Sequence, residues 1–258
     1  MTLTWGCDFS SPTKRSDRQT FSPTDIAVKH NQMVSQTLEK LHSTKQRQGD
    51  SFELNRKTIE NALQQTQTYA DLNQGAVTNR SLSNFKRHLR EKRGLSKKAT
   101  AELGIEDLHR ADMLSDAQME YIHKIRGLEN ASDVRRIAKN ASRELGKAAT
   151  IVKIYAATYY NSLSYWRAHS AKVKKLDDDR FHSKGDIDWS AVAGADAAGA
   201  TLGALEGAWA AIQSGAATAT LTFGPQGAVI MITGAAISGA VTRGAGASVV
   251  TAVTMWAS

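Results

Sequence analysis

The chain has 258 residues, 41% of them hydrophobic, which is enough for a sizeable core, and a formal net charge of +8. A single cysteine, Cys7, excludes an intrachain disulfide framework and a cysteine-based zinc site. The HExxH, GxSxG, P-loop and GxGxxG signatures are absent, so the enzyme classes that carry them are excluded; the expectation is a non-enzyme with no catalytic residue, no metal and no cofactor.

Residues 1–22 are polar, contain Pro12 and have few large apolar side chains, so they read as a disordered arm. The start lacks the apolar core of a secretory signal. The expectation is a protein made in the cytoplasm without such a signal, exported by a signal-independent route and acting at a target membrane.

Residues 23–176 read as a basic helical domain. Ser22-Pro23-Thr24-Asp25 is a helix start, followed by Val34, Leu38 and Leu41 at helical spacing. Gln46 to Ser51 reads as a break. A second helix carries Phe52, Ile59, Leu63 and Tyr69 and ends before Gly75. Residues 80–98 are strongly basic, with Leu82, Phe85 and Leu89 as the apolar face. Ser115 caps a helix bearing Met119, Ile122 and Ile125, and Asn130-Ala131-Ser132-Asp133 restarts one bearing Val134, Ile137, Ala141 and Leu145. Ile151, Tyr155, Tyr159, Leu163 and Trp166 recur at four or three residues and read as a core seam between helices. No strand pattern competes with these helices.

Residues 177–187, with Asp177-Asp178-Asp179-Arg180-Phe181-His182 and Asp186, read as a polar hinge, since no recognised metal loop is present. Beyond it the composition changes. From Ile187 to Ser258 the charged residues are Asp188, Asp196, Glu206 and Arg243, net −2, whereas the preceding 186 residues carry +10. The tail also holds 11 of the 19 glycines. Every fourth residue from 191 is small: Ala191, Ala195, Gly199, Gly203, Gly207, Ala211, Gly215 and Ala219. That spacing places them on one helical ridge, and Ala236, Ala240, Gly244, Ser248 and Ala252 repeat it. In water each helical glycine costs about 1 kcal/mol relative to alanine, so this density needs close backbone packing to offset it. Gly224-Pro225-Gln226-Gly227 is a turn signal between the two ridges. Residues 188–258 therefore read as a glycine-zipper helical hairpin, and the whole chain as all-α: a helical body followed by a Gly/Ala-rich hairpin.

Gly207 to Thr242 is an uncharged span of 36 residues. Folding at Pro225 brings Glu206 and Arg243 to the same end as a base pair of charges, with helical arms at Gly207–Phe223 and Gly227–Thr242. Those arms are near the lower length limit for crossing a bilayer, about 17 residues. Small residues matter most for helix pairing in lipid, where no hydrophobic force drives it. Gly203→Leu is accordingly expected to block assembly while leaving the body folded. Lys86, Arg87, Arg90, Lys92, Arg93, Lys97 and Lys98 form a cation cluster suited to an anionic surface. Aromatics do not interleave it as base stacking would require, which puts nucleic acid behind lipid as its partner.

Leu114–Trp166, ending in Tyr-Tyr-Asn-Ser-Leu-Ser-Tyr-Trp, followed by Trp189 and the Gly/Ala tail, resembles a group of poorly characterised bacterial proteins with a glycine-zipper C-terminus. The tail is similar to glycine-zipper bacteriocins and to the insertion segments of pore-forming effectors, although the chain lacks a double-glycine leader and has a much larger body. The resemblance implies a toxin or translocated effector and identifies no catalytic residue.

The leading expectation is a membrane-active protein whose hairpin inserts and oligomerises through the ridge. Its expected partners are an anionic membrane surface, further copies of the chain, and a secretion-system or immunity protein. The alternative is a soluble interaction or cargo protein of a secretion system with a packed hairpin. A third is a nucleic-acid binder using residues 86–98, and an unfamiliar nuclease or hydrolase is the residual enzymatic reading.

Overall fold

The computed structural model describes residues 22–73, 79–94, 96, 104–174, 187–213, 221–224, 227–230 and 234–257. The predicted arm, apart from Ser22, and the predicted hinge, apart from Ile187, lie outside them. The architecture is all-α with one small two-stranded sheet.

Helix α1 spans Pro23–Gln48, and its start is written in the sequence. The Ser22 hydroxyl accepts from the Asp25 amide, and the Asp25 carboxylate accepts from the Ser22 amide at 2.6 Å. Hydrogen bonds to that carboxylate from the Ser22 amide and then the Ser22 hydroxyl hold it below its ordinary range. Ile26, Met33, Val34, Leu38 and Leu41 form the buried face. Gly49, at φ +53°, ends the helix in a conformation that other residues rarely adopt. The single helix predicted over Phe52–Tyr69 is corrected to two, α2 at Arg56–Gln64 and α3 at Gln67–Asn73. Thr66 causes the break. Its hydroxyl donates to the Leu63 carbonyl and accepts from the Tyr69 amide, ending one helix and capping the next.

Helix α4 spans Asn79–Arg93 and buries Phe85 and Leu89. A short helix, α5 at Ile105–Arg110, is additional to the predicted elements. Helix α6, Asp116–Ile125, starts at the predicted Ser115 cap, with Gln118 completing a capping box. Helix α7, Ala131–Leu145, starts at Asn130. Helix α8, Ala149–Lys174, carries the aromatic seam: Tyr155, Tyr159, Leu163 and Trp166 are all buried.

In the tail, α9 covers Trp189–Gln213 and α10 covers Gly234–Ala257. They are about 37 and 36 Å long at 1.5 Å per residue. Strands β1, Leu221–Gly224, and β2, Gly227–Ile230, pair antiparallel between them, with Gly224 opposite Gly227. The expectation of helical arms running to Pro225 is thereby corrected. Leu221, Val229 and Ile230 are β-branched or large apolar residues that suit a short ladder, and Gly224 and Gly227 flank a two-residue connection that suits a hairpin.

One hydrophobic core runs through body and tail. It joins Ile26, Met33 and Leu38 of α1, Tyr155 and Trp166 of α8, Leu202 and Leu205 of α9, and Ile237 and Val249 of α10. Helix α9 packs on α10, α8 and α4, and α10 packs on α1 as well.

Candidate functional site

Three features converge on the paired tail helices: the contact between their backbones, a buried polar cluster, and a basic helix laid over one end. The backbone contact is set by glycine. A Cβ built on Gly203 would lie 2.0 Å from the Gly239 carbonyl oxygen, and one on Gly239 would lie 2.1 Å from the Gly203 oxygen. A Cβ on Gly207 would lie 2.0 Å from the Ala235 oxygen, and one on Gly199 would lie 3.0 Å from the Arg243 oxygen. The hydrogens that glycine carries at those places point at facing carbonyls, with Cα and oxygen roughly 3.5 Å apart, the range of Cα–H···O contacts. Register is constant along the pair: 207 faces 235, 203 faces 239 and 199 faces 243.

The predicted ridge residues Gly199, Gly203, Gly207 and Ala211 are buried, and Ala195 is half-buried. Gly215 and Pro225 lie outside the described residues. On the second helix Ala240 and Gly244 are buried, and a Cβ on Gly244 would come 3.0 Å from the His30 ring. Yet the residues that meet the first ridge most closely are one position earlier, at 235, 239 and 243. Gly239 is the one that sequence reasoning missed. Its signal was the row Ala235, Gly239, Ala247 at four-residue spacing, interrupted by Arg243. Because the ridge is filled by the chain's own second helix, Gly203→Leu would drive a large side chain into Gly239. The variant is therefore expected to part the two tail helices already within one chain.

Glu206 and Arg243 do meet, at 2.6 Å, with the carboxylate nearly buried and the guanidinium a quarter exposed. They lie within the paired helices, not at a base below two arms. Asp196, one residue beyond the ridge position Ala195, is completely buried. It accepts hydrogen bonds from Ser162 and from Ser248 at 2.8 Å, and the Trp166 indole N–H lies 3.3 Å from the same oxygen and 3.0 Å from Ser248. His30 Nε2 stands 3.8 Å away. Burial raises the carboxyl's pKa, opposed by His30 and then by the three donors. The cluster ties α1, α8, α9 and α10 at one point, and every member is shut from solvent, so no substrate reaches it. Among the described residues no group of three or more histidine, cysteine or acidic side chains could hold a metal.

Helix α4 crosses the other end of α9. Trp209 packs against Phe85 with ring centroids 5.9 Å apart and against His88 at 4.4 Å. The Asn84 amide donates to Gln213 at 3.4 Å. Of the predicted cations, Lys86 is half-buried beside the Glu206–Arg243 pair. Burial lowers its pKa, Arg243 lowers it further, and Glu206 works against both. Arg87 and Arg90 are exposed, and Arg87 also bonds Asn84 at 2.8 Å. Lys92 and Arg93 lie on α4, whereas Lys97 and Lys98 fall outside the described residues.

By length and composition, Gly234–Met255 is the one stretch among the described residues that could cross a membrane as a helix. No protein-family model, curated protein or solved structure matches the chain.

Proposed function

We propose that this is a membrane-active toxin or effector in a closed form, in which Gly207–Thr242 is the inserting segment and the body helices are its cover. One observation carries the reading. From Val192 to Ala211, α9 presents almost no side to solvent, lies among amphipathic body helices, and leads directly into the uncharged span. A helix without a polar face belongs inside a protein or inside a bilayer, and this one adjoins the stretch with nothing charged to hold it in water.

Opening frees that span from the body. The two strands give up, besides their own pairing, the bond from Gln118 to the Ala228 carbonyl and the burial of Ala228 and Ile230. The strand tip and the helix turns beside it then enter the bilayer, while Glu206 and Arg243 remain paired at its boundary and the zipper keeps α9 and α10 in register. Since that ridge is occupied within each chain, copies assemble on insertion through other faces. Leakage of dye from vesicles of mixed anionic and neutral lipid tests the proposal: release is expected from the anionic vesicles and not from neutral ones. Protein that neither binds nor permeabilises anionic vesicles refutes it.

A specific observation favours the alternative of a soluble interaction protein. The Asp196 cluster clamps the tail to α1 and α8, and a protein built to stay closed would want such a clamp. For that reading the tail stays protease-resistant and the protein stays in solution when vesicles are added.

A further inference from the structure

We infer that α4 is a displaceable strap over the hairpin, and that the phosphates of an anionic lipid surface are what lift it; the inference rests on the membrane-active reading above. Both halves of the device lie on one helix. Its inner side, Phe85, Leu89 and His88, is seated on α9, with Phe85 and His88 against Trp209. Its outer side carries Arg87 and Arg90, exposed, with Lys86 at the edge beside Arg243.

Attachment is narrow. Among the described elements α4 meets the fold principally at α9, whereas α1 and α8 are each held on several sides. A helix held along one line is the cheapest element to detach, and local opening draws on regions of this kind. What it covers also matters: Trp209 and Gln213 lie in the last turn and a half of α9, where the uncharged span begins. Phosphate headgroups would give the exposed cations Arg87 and Arg90 counter-charges outside the fold. Lipid binding and uncovering are then linked, because a surface that favours detached α4 shifts the equilibrium by its differential affinity.

The experiment ties α4 down. In full-length protein with Cys7→Ser, the half-buried Asn84→Cys and the exposed Gln213→Cys, which touch in the wild type, are joined by a short, reductively cleavable bis-maleimide. The crosslinked protein is expected still to co-sediment with anionic vesicles through its outer cations, though more weakly than the untied form, which gains the contacts of detached α4. Its leakage should fall by about tenfold or more, as for a two-state element held shut, and cleavage of the linker should restore it. Arg87→Gln with Arg90→Gln should lower binding and leakage together. Inorganic phosphate at headgroup-equivalent concentration should produce neither effect, which separates a surface from a free anion. Equal leakage from the tied and untied forms overturns the strap while leaving the membrane reading intact. Vesicle binding lost on crosslinking overturns it as well. No leakage from any form removes the membrane reading itself.

Discussion

Gly203→Ala adds one methyl group, and the structure says where it goes. The new carbon would lie 2.0 Å from the Gly239 oxygen, 2.4 Å from its carbonyl carbon and 2.9 Å from the Ala240 nitrogen. All three are backbone atoms, so no side chain can turn away. An ordinary carbon–oxygen contact needs about 3.3 Å, and the helices must part by about 1 Å. A gap of that size forfeits a quarter to a half of the dispersion energy along the seam, and overpacking of a core commonly costs about 1–3 kcal/mol or somewhat more. Against this, alanine returns about 1 kcal/mol of helix propensity. The net expectation is a loss of up to about 2 kcal/mol. Gly246→Ala is the control, because a Cβ there meets only the Leu63 side chain at 3.7 Å, an ordinary contact. It should gain about 0.5–1 kcal/mol. Urea unfolding of both variants beside the wild type measures the difference. In a thermal scan the first should melt lower by roughly 4–8 °C at the upper end of that loss. If Gly203→Ala proves as stable as Gly246→Ala, the close approach of the two backbones is wrong.

Asp196→Ala should cost about 3 kcal/mol, because it strands Ser162 and weakens the hold on Ser248 and Trp166. Asp196→Asn should behave oppositely with pH. The native carboxyl binds its proton more tightly than the unfolded one, so this group's contribution is present at low pH and is lost as pH rises through the raised native value. The asparagine variant should therefore match or exceed the wild type at neutral pH, and the gap should close on acidification; a gap that widens in acid refutes the assignment. Replacing Glu206 alone by Gln should destabilise by about 2 kcal/mol, a buried-pair loss reduced because Arg243 keeps some solvent. A double-mutant cycle with Arg243→Gln should return a clear coupling. Ser115→Ala should remove about 1 kcal/mol by opening the cap of α6, read from denaturant midpoints.

The body was legible where local chemistry decides. Ser22, Ser115 and Asn130 begin helices because their side chains complete backbone hydrogen bonds within three residues, and that pattern is visible in one dimension. The aromatic seam from Tyr155 to Trp166 was visible for the same reason: four-residue spacing is itself the geometry of a helix face. Thr66 was not legible, since threonine fits a helix interior and its capping role depends on the chain having already turned. Short α5 offers too few apolar positions for periodicity to register.

In the tail, the first ridge could be read from spacing alone, but its partner could not. The choice between the rows through 235 and 236 is a rotation of one residue about the helix axis, and α10 also packs on α1 and α2, which lie far away in sequence. The tip was misread because Gly-Pro-x-Gly signals a reversal without saying whether helices or strands enter it. Asp196 was recognised only as one of few charges. Its role depends on serines and a tryptophan that lie from 30 to 52 residues away.

Gln118 joins the start of α6 to the strand tip of the tail. Its amide oxygen accepts from the Ser115 backbone at the start of α6, while its nitrogen donates to the carbonyls of Ala148 at 2.9 Å and Ala228 at 3.0 Å. One planar group thus closes a local turn and clasps a strand 110 residues downstream. Turning the amide over would break all of these bonds at once, so the cap reaches full strength only after the tip has docked. Protection of the Ser115 amide against hydrogen exchange becomes a remote gauge of the tip. Its loss on meeting a membrane would time the moment the far end of the molecule lets go.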